Sequence, residues 1–326
     1  MTSENPHANM LAAKGSPLAA YLENPLWLAP MAGVTDKAFR TLCLHHGAGL
    51  TYTEMVSAAG LHYGGSRTAE LFEPAPEERV IAVQLFGSDP ALMAEACSRV
   101  NDELGERLAF VDVNMGCPVR KVAGKGEGAA LMKDPERAAA IVSAMVEASR
   151  VPVTAKIRSG WTQVDVTAPE FAKRLEQAGA ALIAVHGRSA RQFYRGTADW
   201  SVIAQVKEAV SVPVAGSGDV FSADDATRMK NECGVDAVLV ARGARGNPWI
   251  FEDVEPSAQE RIAGMEEHLA LFCEFFGEDH LTPLRAQLSW YVRGLAGAAE
   301  MRRALSAATT RADFSEILAR AKERLS

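Results

Sequence analysis

Phe110-Val111-Asp112-Val113-Asn114-Met115-Gly116-Cys117-Pro118 joins an apolar run to a tight Gly/Pro turn that carries a thiol. The run has strand character and the turn ends it, so a reactive group sits at a strand's end. A cysteine there is either a buried filler or an acid or nucleophile held over a pocket. The stretch decides the fold because its pattern recurs. Eight apolar runs ending in a polar or Gly-rich cluster lie between residues 26 and 243, spaced by roughly 25 to 40 residues.

The runs are Leu26 to Ala29 before Pro30-Met31-Ala32-Gly33, Leu50 to Thr53 before Glu54, Val80 to Val83 before Gln84, and the run that carries Asn114 and Cys117. Then come Val151 to Ala155 before Lys156 and Arg158, Ala181 to Val185 before His186 and Arg188, Val212 to Ala215 before Gly216-Ser217-Gly218-Asp219, and Ala237 to Val240 before Ala241-Arg242-Gly243. Between them lie stretches of helical period with helix punctuation. Asp89-Pro90 and Asp134-Pro135 each offer a capping carboxylate followed by proline at the first helical position. Gly105 marks a stop, Gly47 and Gly179 fall where left-handed caps belong, and Ser222 with Asp225 resembles a capping box. Eight βα units predict an α/β fold, a closed (β/α)8 TIM barrel, over residues 21–252. In such a barrel the post-strand loops gather at one face, where catalytic groups collect and where a phosphate often binds after strands seven and eight. A doubly wound open sheet is the alternative, but it needs a topological break that these units lack.

The 326 residues, 48% of them hydrophobic, suffice for one large domain and a small one. Cys43, Cys97, Cys117, Cys233 and Cys273 are odd in number and lack a C-x-x-C, so neither a disulfide framework nor a metal site is expected. The other four cysteines are expected to pack inside or beside helices. No apolar run approaches the roughly 18 residues of a membrane span, and residues 1–20 lack the basic start and apolar core of a signal peptide. They are read as a disordered tail and the protein as cytoplasmic. Gly124-Lys125-Gly126-Glu127-Gly128-Ala129 fits the dinucleotide pattern formally but starts about ten residues too late after its strand, so a mobile loop carrying Cys117 is expected. Gly216-Ser217-Gly218-Asp219 does follow a strand directly, and its amides, with Arg242, can cradle a phosphate.

These residues resemble the tRNA-dihydrouridine synthases, flavoenzymes that reduce selected uridines in transfer RNA. The motifs carrying the resemblance are Ala29-Pro30-Met31-Ala32-Gly33-Val34-Thr35-Asp36, Gln84-Leu85-Phe86-Gly87, Asn114-Met115-Gly116-Cys117-Pro118, Lys156-Ile157-Arg158, His186-Gly187-Arg188 and Arg245-Gly246-Asn247-Pro248-Trp249. Met115, Val119-Arg120-Lys121-Val122, Ser289-Trp290-Tyr291 and Gly297-Ala298-Ala299 look most like the bacterial B-type branch. Ser217 and Ala241 depart from the Asn and Gly common at those positions, at little cost to phosphate binding.

The resemblance implies an FMN-containing barrel with NADPH as reductant. It assigns FMN contact to Pro30, Met31, Ala32, Gln84, Lys156, His186, Ser217, Gly218, Asp219, Ala241 and Arg242. Gln84 would meet the pyrimidine edge of the flavin, and Lys156 would face the edge that becomes negative on reduction. Hydride would pass from NADPH to FMN and then to C6 of a uracil ring, with Cys117 as the acid for C5. A thiol of ordinary pKa, about 8.5, is largely protonated at neutral pH. Asn114 would orient the base, and Arg158 and Arg188 would grip carbonyls or phosphates. The uridine would flip out of its stack, and the B-type likeness implies a D-loop position, position 17.

A net charge of −7 argues against an RNA ligand until its distribution is seen. From Leu284 to Ser326, eight basic residues stand against four acidic ones, whereas Phe251 to Pro283 is acidic. Residues 253–326 are therefore read as a helical tRNA-binding domain in which Arg302 and Arg303 meet phosphate. Trp290 and Tyr291 are equally suited to helix packing and to base stacking. A free-pyrimidine reductase similar to dihydroorotate dehydrogenases and an RNA-binding barrel without catalysis are the competing readings. The basic helical tail disfavours the first, and Cys117, Lys156 and Gln84 disfavour the second. The sequence leaves the oligomeric state open, with a monomer as the default.

Overall fold

The computed structural model describes residues 17–325, so the expected tail lies outside the described residues up to residue 16, and Pro17–Glu23 form a first helix, α1. Eight parallel strands then close on themselves in sequence order. They are β1 (Leu26–Leu28), β2 (Leu50–Ser57), β3 (Ile81–Phe86), β4 (Leu108–Asn114), β5 (Val153–Arg158), β6 (Ile183–His186), β7 (Val214–Ser217) and β8 (Ala237–Val240), and β1 pairs with β8 to seal the barrel. The outer helices include α2 (Lys37–His45), α3 (Ala58–His62), α4 (Ser66–Glu70), α5 (Pro90–Leu104), α6 (Arg120–Ala123), α7 (Pro135–Ala148), α8 (Ala168–Gln177), α9 (Trp200–Ala209) and α10 (Ala223–Cys233). The barrel, not the open sheet, is the fold.

Local chemistry places the helix ends. The Asp89 carboxylate accepts from the Ala91 and Leu92 amides with Pro90 opening α5, and Asp134 repeats the device at α7. Gly47 and Gly179 take φ of +86° and +106° just past α2 and α8, where any side chain would be strained. At α10 the Ser222 hydroxyl accepts from the Asp225 amide, but Asp225 reaches back to the Phe221 amide, one residue beyond a capping box.

Inside the barrel, side chains stack in rows because alternate strand residues point inward. Trp27, Tyr52 and Phe110 fill the bottom, the last two with ring centroids 5.5 Å apart. Each contributes about 2–3 kcal/mol of burial. The Trp27 indole donates to the carbonyls of Tyr21 and Asn24, so α1 and its exit turn cover this end. The rows above turn polar. Gln84, Asp112 and Thr154 are register neighbours, followed by Asn114 and Lys156, and then by Arg158, His186 and Ser217. Gln84, Asn114, Lys156 and Arg158, read as following their strands, are strand residues themselves.

After β8 come α11 (Ala258–Phe276), α12 (Thr282–Tyr291), α13 (Ala298–Ala307) and α14 (Arg311–Leu325). They share a hydrophobic cluster with Ala38 and Leu42 of α2 and with Trp249. The approach is close: a side chain at Gly264 would come within 2.6 Å of the Trp249 ring. Gln287 Nε2 also donates to Asp36 Oδ2 at 2.6 Å, while the other oxygen of Asp36 caps α2. Tyr291 is buried against His268, and Trp290 stacks on the Arg245 guanidinium at 4.2 Å, so both aromatics serve packing.

Candidate active site

A cavity of about 660 Å³ opens at the C-terminal face of the barrel. Its wall contains Pro30, Met31, Ala32, Gln84, Lys156, His186, Ser217, Gly218, Asp219, Ala241 and Arg242, together with Asn114, Cys117 and Arg158. One residue expected at the pocket is elsewhere, and the two expected to meet tRNA phosphate lie on the helical tail. Arg188 is 2% exposed and outside the wall. Its guanidinium lies 2.7 Å from Asp219 and donates to the carbonyls of Arg195 and Gly196, so it stands behind the cavity as a brace. Arg302 and Arg303 are exposed on α13, where neither side chain makes a hydrogen bond or ion pair among the described residues.

Lys121, Lys156, Arg158, Arg242 and Arg245 converge on the wall, with Asp219 the one carboxylate in it among the described residues. An acidic protein has thus collected cations at one point, the arrangement that an anionic ligand requires. Asp219 is itself committed to Arg188, to Arg242 at 2.9 Å and to the Ala198 amide. Burial pushes its carboxyl up, but the Arg188 and Ala198 hydrogen bonds and the two arginine charges outweigh this and hold it below the usual range. Gly218, at φ +114°, has no room for a side chain. A Cβ would lie 2.8 Å from His186 Cδ2 and 3.1 Å from its Nε2. That Nε2 is buried without a partner among the described residues, and burial followed by the surrounding cations keeps the ring neutral. A neutral, unpartnered imidazole within a cation-lined wall is suited to a polar ligand.

Cys117 sits on a braced turn. Asn114 Oδ1 accepts from the Gly116 and Cys117 amides at 3.2 and 2.9 Å, and Arg158 Nε donates to the Gly116 carbonyl at 2.6 Å. The segment expected as a mobile loop supports it from the other side. α6 and a 3-10 turn over Gly128–Lys133 fold back so that the Ala129 amide donates to the Cys117 carbonyl at 3.0 Å. Gly128, at φ +59°, makes the approach possible, since a Cβ there would sit 2.7 Å from that carbonyl. Burial pushes the Cys117 thiol up, outweighing the Val119 amide and the charges of Arg158 and Lys156. It therefore stays protonated at neutral pH, the state a proton donor needs.

Burial, then the Arg158 charge, draw the Lys156 ammonium down to about 8, against the pull of Asp112 and Cys117. Arg158 is pushed down to about 10 by burial, and its Nη1 is spent on the carbonyls of Ser189 and Phe193, each 2.9 Å away. Sequence reasoning missed the rim. Tyr194 and Phe221, exposed and in loops after β6 and β7, bracket the Arg242 guanidinium at 5.2 and 5.5 Å. Exposed aromatics amid polar post-strand loops were the available signal.

Fold and site together define a (β/α)8-barrel protein whose C-terminal face gathers cations around a cavity beside a protonated thiol. The family model for dihydrouridine synthases matches residues 27–326, and the chain belongs to the dihydrouridine synthase family. It is 41% identical over 293 residues to tRNA-dihydrouridine synthase B of Pseudomonas aeruginosa, covering 86% of this chain and 87% of that protein. A probable tRNA-dihydrouridine synthase of Rhodobacter capsulatus is 40% identical over 318 residues, 90% of this chain and 96% of that one. The B-type name recurs among the relatives, in line with the motif resemblance. Among solved structures, histamine dehydrogenase from Rhizobium sp. 4-9 overlays with a TM-score of 0.50 at 13% identity, over 76% of this chain and 49% of that one, a likeness of fold alone. No helix among the described residues is long and apolar enough to cross a membrane, and no group of three or more His, Cys, Asp or Glu there can hold a metal ion.

Proposed function

We propose that this protein is an FMN-dependent tRNA-dihydrouridine synthase that uses NADPH to reduce the C5–C6 bond of a D-loop uridine. The observation that carries the reading is the meeting, in one cavity, of the protonated Cys117 thiol, the Lys156 ammonium and the Gly218–Arg242 anion cradle. The unpartnered His186 nitrogen and the Gly218 backbone, where a side chain has no space, fit a flavin phosphate group and its ribityl hydroxyls.

When bound, FMN reduced by NADPH supplies hydride chemistry. Ser217, Gly218, Asp219, Ala241 and Arg242 hold its phosphate end, and Arg188 fixes Asp219 and through it Arg242. Pro30, Met31 and Ala32 bound the ring, Gln84 meets its polar edge, and the Lys156 cation offsets negative charge there. Asn114 and Arg158 orient the flipped uracil, and Cys117 gives the C5 proton. Arg302 and Arg303, exposed on α13, meet tRNA phosphates.

The test is direct. Purified protein should carry bound flavin released as FMN, and with NADPH it should form dihydrouridine in tRNA lacking that modification. Colourless protein that cannot be loaded with FMN, or loaded protein that leaves tRNA unchanged, would refute the reading.

A further inference from the structure

Asp112 has none of the roles above, yet it is a fully buried carboxylate inside the barrel, one row beneath the cavity floor. Both oxygens are engaged. Oδ2 accepts from Gln84 Nε2 and Oδ1 accepts from the Thr154 hydroxyl, each at 2.6 Å. Gln84 Oε1 in turn accepts from Asn114 Nδ2 at 2.7 Å, and Asn114 Oδ1 accepts from the Cys117 amide. Every link from the Cys117 turn down to Asp112 runs from N–H to oxygen.

Such a chain has a direction only because its ends do. Backbone amides are donors only, and an ionised carboxylate is an acceptor only, whereas a glutamine or asparagine amide can present either end. With the turn above and Asp112 below, Gln84 and Asn114 are left one orientation each. Burial raises the Asp112 carboxyl to about 6 against the hydrogen bonds from Gln84 and Thr154 and the Lys156 charge, so it is ionised at neutral pH.

We propose that Asp112 is a positioning residue, the acceptor terminus of a one-way hydrogen-bond chain that fixes which amide groups Gln84 and Asn114 present to the cavity and holds the Cys117 turn. One N–H and one lone pair of Gln84 remain for a ligand, in a fixed order. The identity of that ligand as FMN rests on the function proposed above, whereas the chain itself does not.

The experiment compares flavin-free wild type, Asp112→Asn and Asp112→Leu by FMN titration and by the rate of iodoacetamide alkylation at Cys117, mapped by mass spectrometry. Asn keeps an acceptor at the foot while the turn amides above still orient Asn114 and Gln84: its oxygen takes the Gln84 N–H, and its amide donates to Thr154. It should stay within about threefold of wild type on both readings. Leu leaves the Gln84 amide unpaired, so FMN binding should weaken about 10- to 100-fold, the worth of one orphaned buried donor. Alkylation should quicken several-fold as the turn loosens. A Leu variant equal to wild type on both readings, or Asn and Leu falling together, would overturn the proposal, the latter assigning the effect to charge. Should Asp112→Leu not fold, Gln84→Met cuts the chain one link higher, and an unchanged alkylation rate there is equally fatal. Wild type that binds no FMN sinks the flavin reading while leaving the alkylation result to judge the chain.

Discussion

Lys156→Met should make the flavin-free protein more stable and the flavin-loaded protein weaker. The Lys156 ammonium is drawn from 10.5 down to about 8, chiefly by burial. At pH 7 the group is charged in both states, so the fold bears an ionic side chain that the unfolded chain carries freely. A depression of that size corresponds to about 3 kcal/mol, or about 5 °C in melting temperature for a chain of this length, as an upper bound. Methionine fills similar volume without the charge. The sign is open to a second check. Between about pH 8 and 10.5 the unfolded chain still binds the proton that the fold has released, so wild-type stability rises across that window. The variant lacks this rise. Calorimetric melts of flavin-free protein from pH 7 to 10 read both effects, and FMN titration should show weaker binding in the variant. A variant less stable than wild type at pH 7, or parallel pH profiles, would refute the argument.

Gly218→Ala should cost about 2–4 kcal/mol through its φ of +114° and the 2.8 Å approach to His186 and Ala198, and should weaken FMN binding, as melts and titration will show. Cys117→Ser should slow uridine reduction about 10²- to 10³-fold, since a hydroxyl is a far weaker acid, while reduction of bound flavin by NADPH proceeds as in wild type under stopped flow. Because burial raises the Cys117 thiol, the wild-type reduction rate should hold steady from neutral pH and decline only in alkaline solution. Replacing both Arg302 and Arg303 by alanine should weaken tRNA binding across sequences and flatten the log–log salt dependence by about 1.4 to 1.8, measured by filter binding over a salt series.

The eight strands were legible because a barrel strand packed on both faces reads as a continuous apolar run. Their upper ends were not. Gln84, Lys156 and Arg158 read as loop residues because polarity marks the end of a run, yet a cavity floor needs polar side chains on residues still inside the sheet. The same effect hid Asp112. One carboxylate within an apolar stretch carries no sign of partners on neighbouring strands, and only the register Gln84–Asp112–Thr154 supplies them. Arg188 was read as reaching substrate from its place after β6, but its pairing with Asp219 spans 31 residues of chain, beyond what local pattern records. The Gly124–Ala129 stretch reads as part of a mobile loop because its Gly pattern starts too late after the strand to be a dinucleotide turn. Its glycines instead permit close packing under the Cys117 carbonyl.

The most direct test of the account is position-resolved mass spectrometry of dihydrouridine in tRNA from cells with the gene deleted, complemented, or complemented with Cys117→Ala. The account predicts that one D-loop site loses the modification on deletion and regains it only with the intact gene. Unchanged dihydrouridine in a host with no other synthase would contradict it and bring forward a reductase of free pyrimidines.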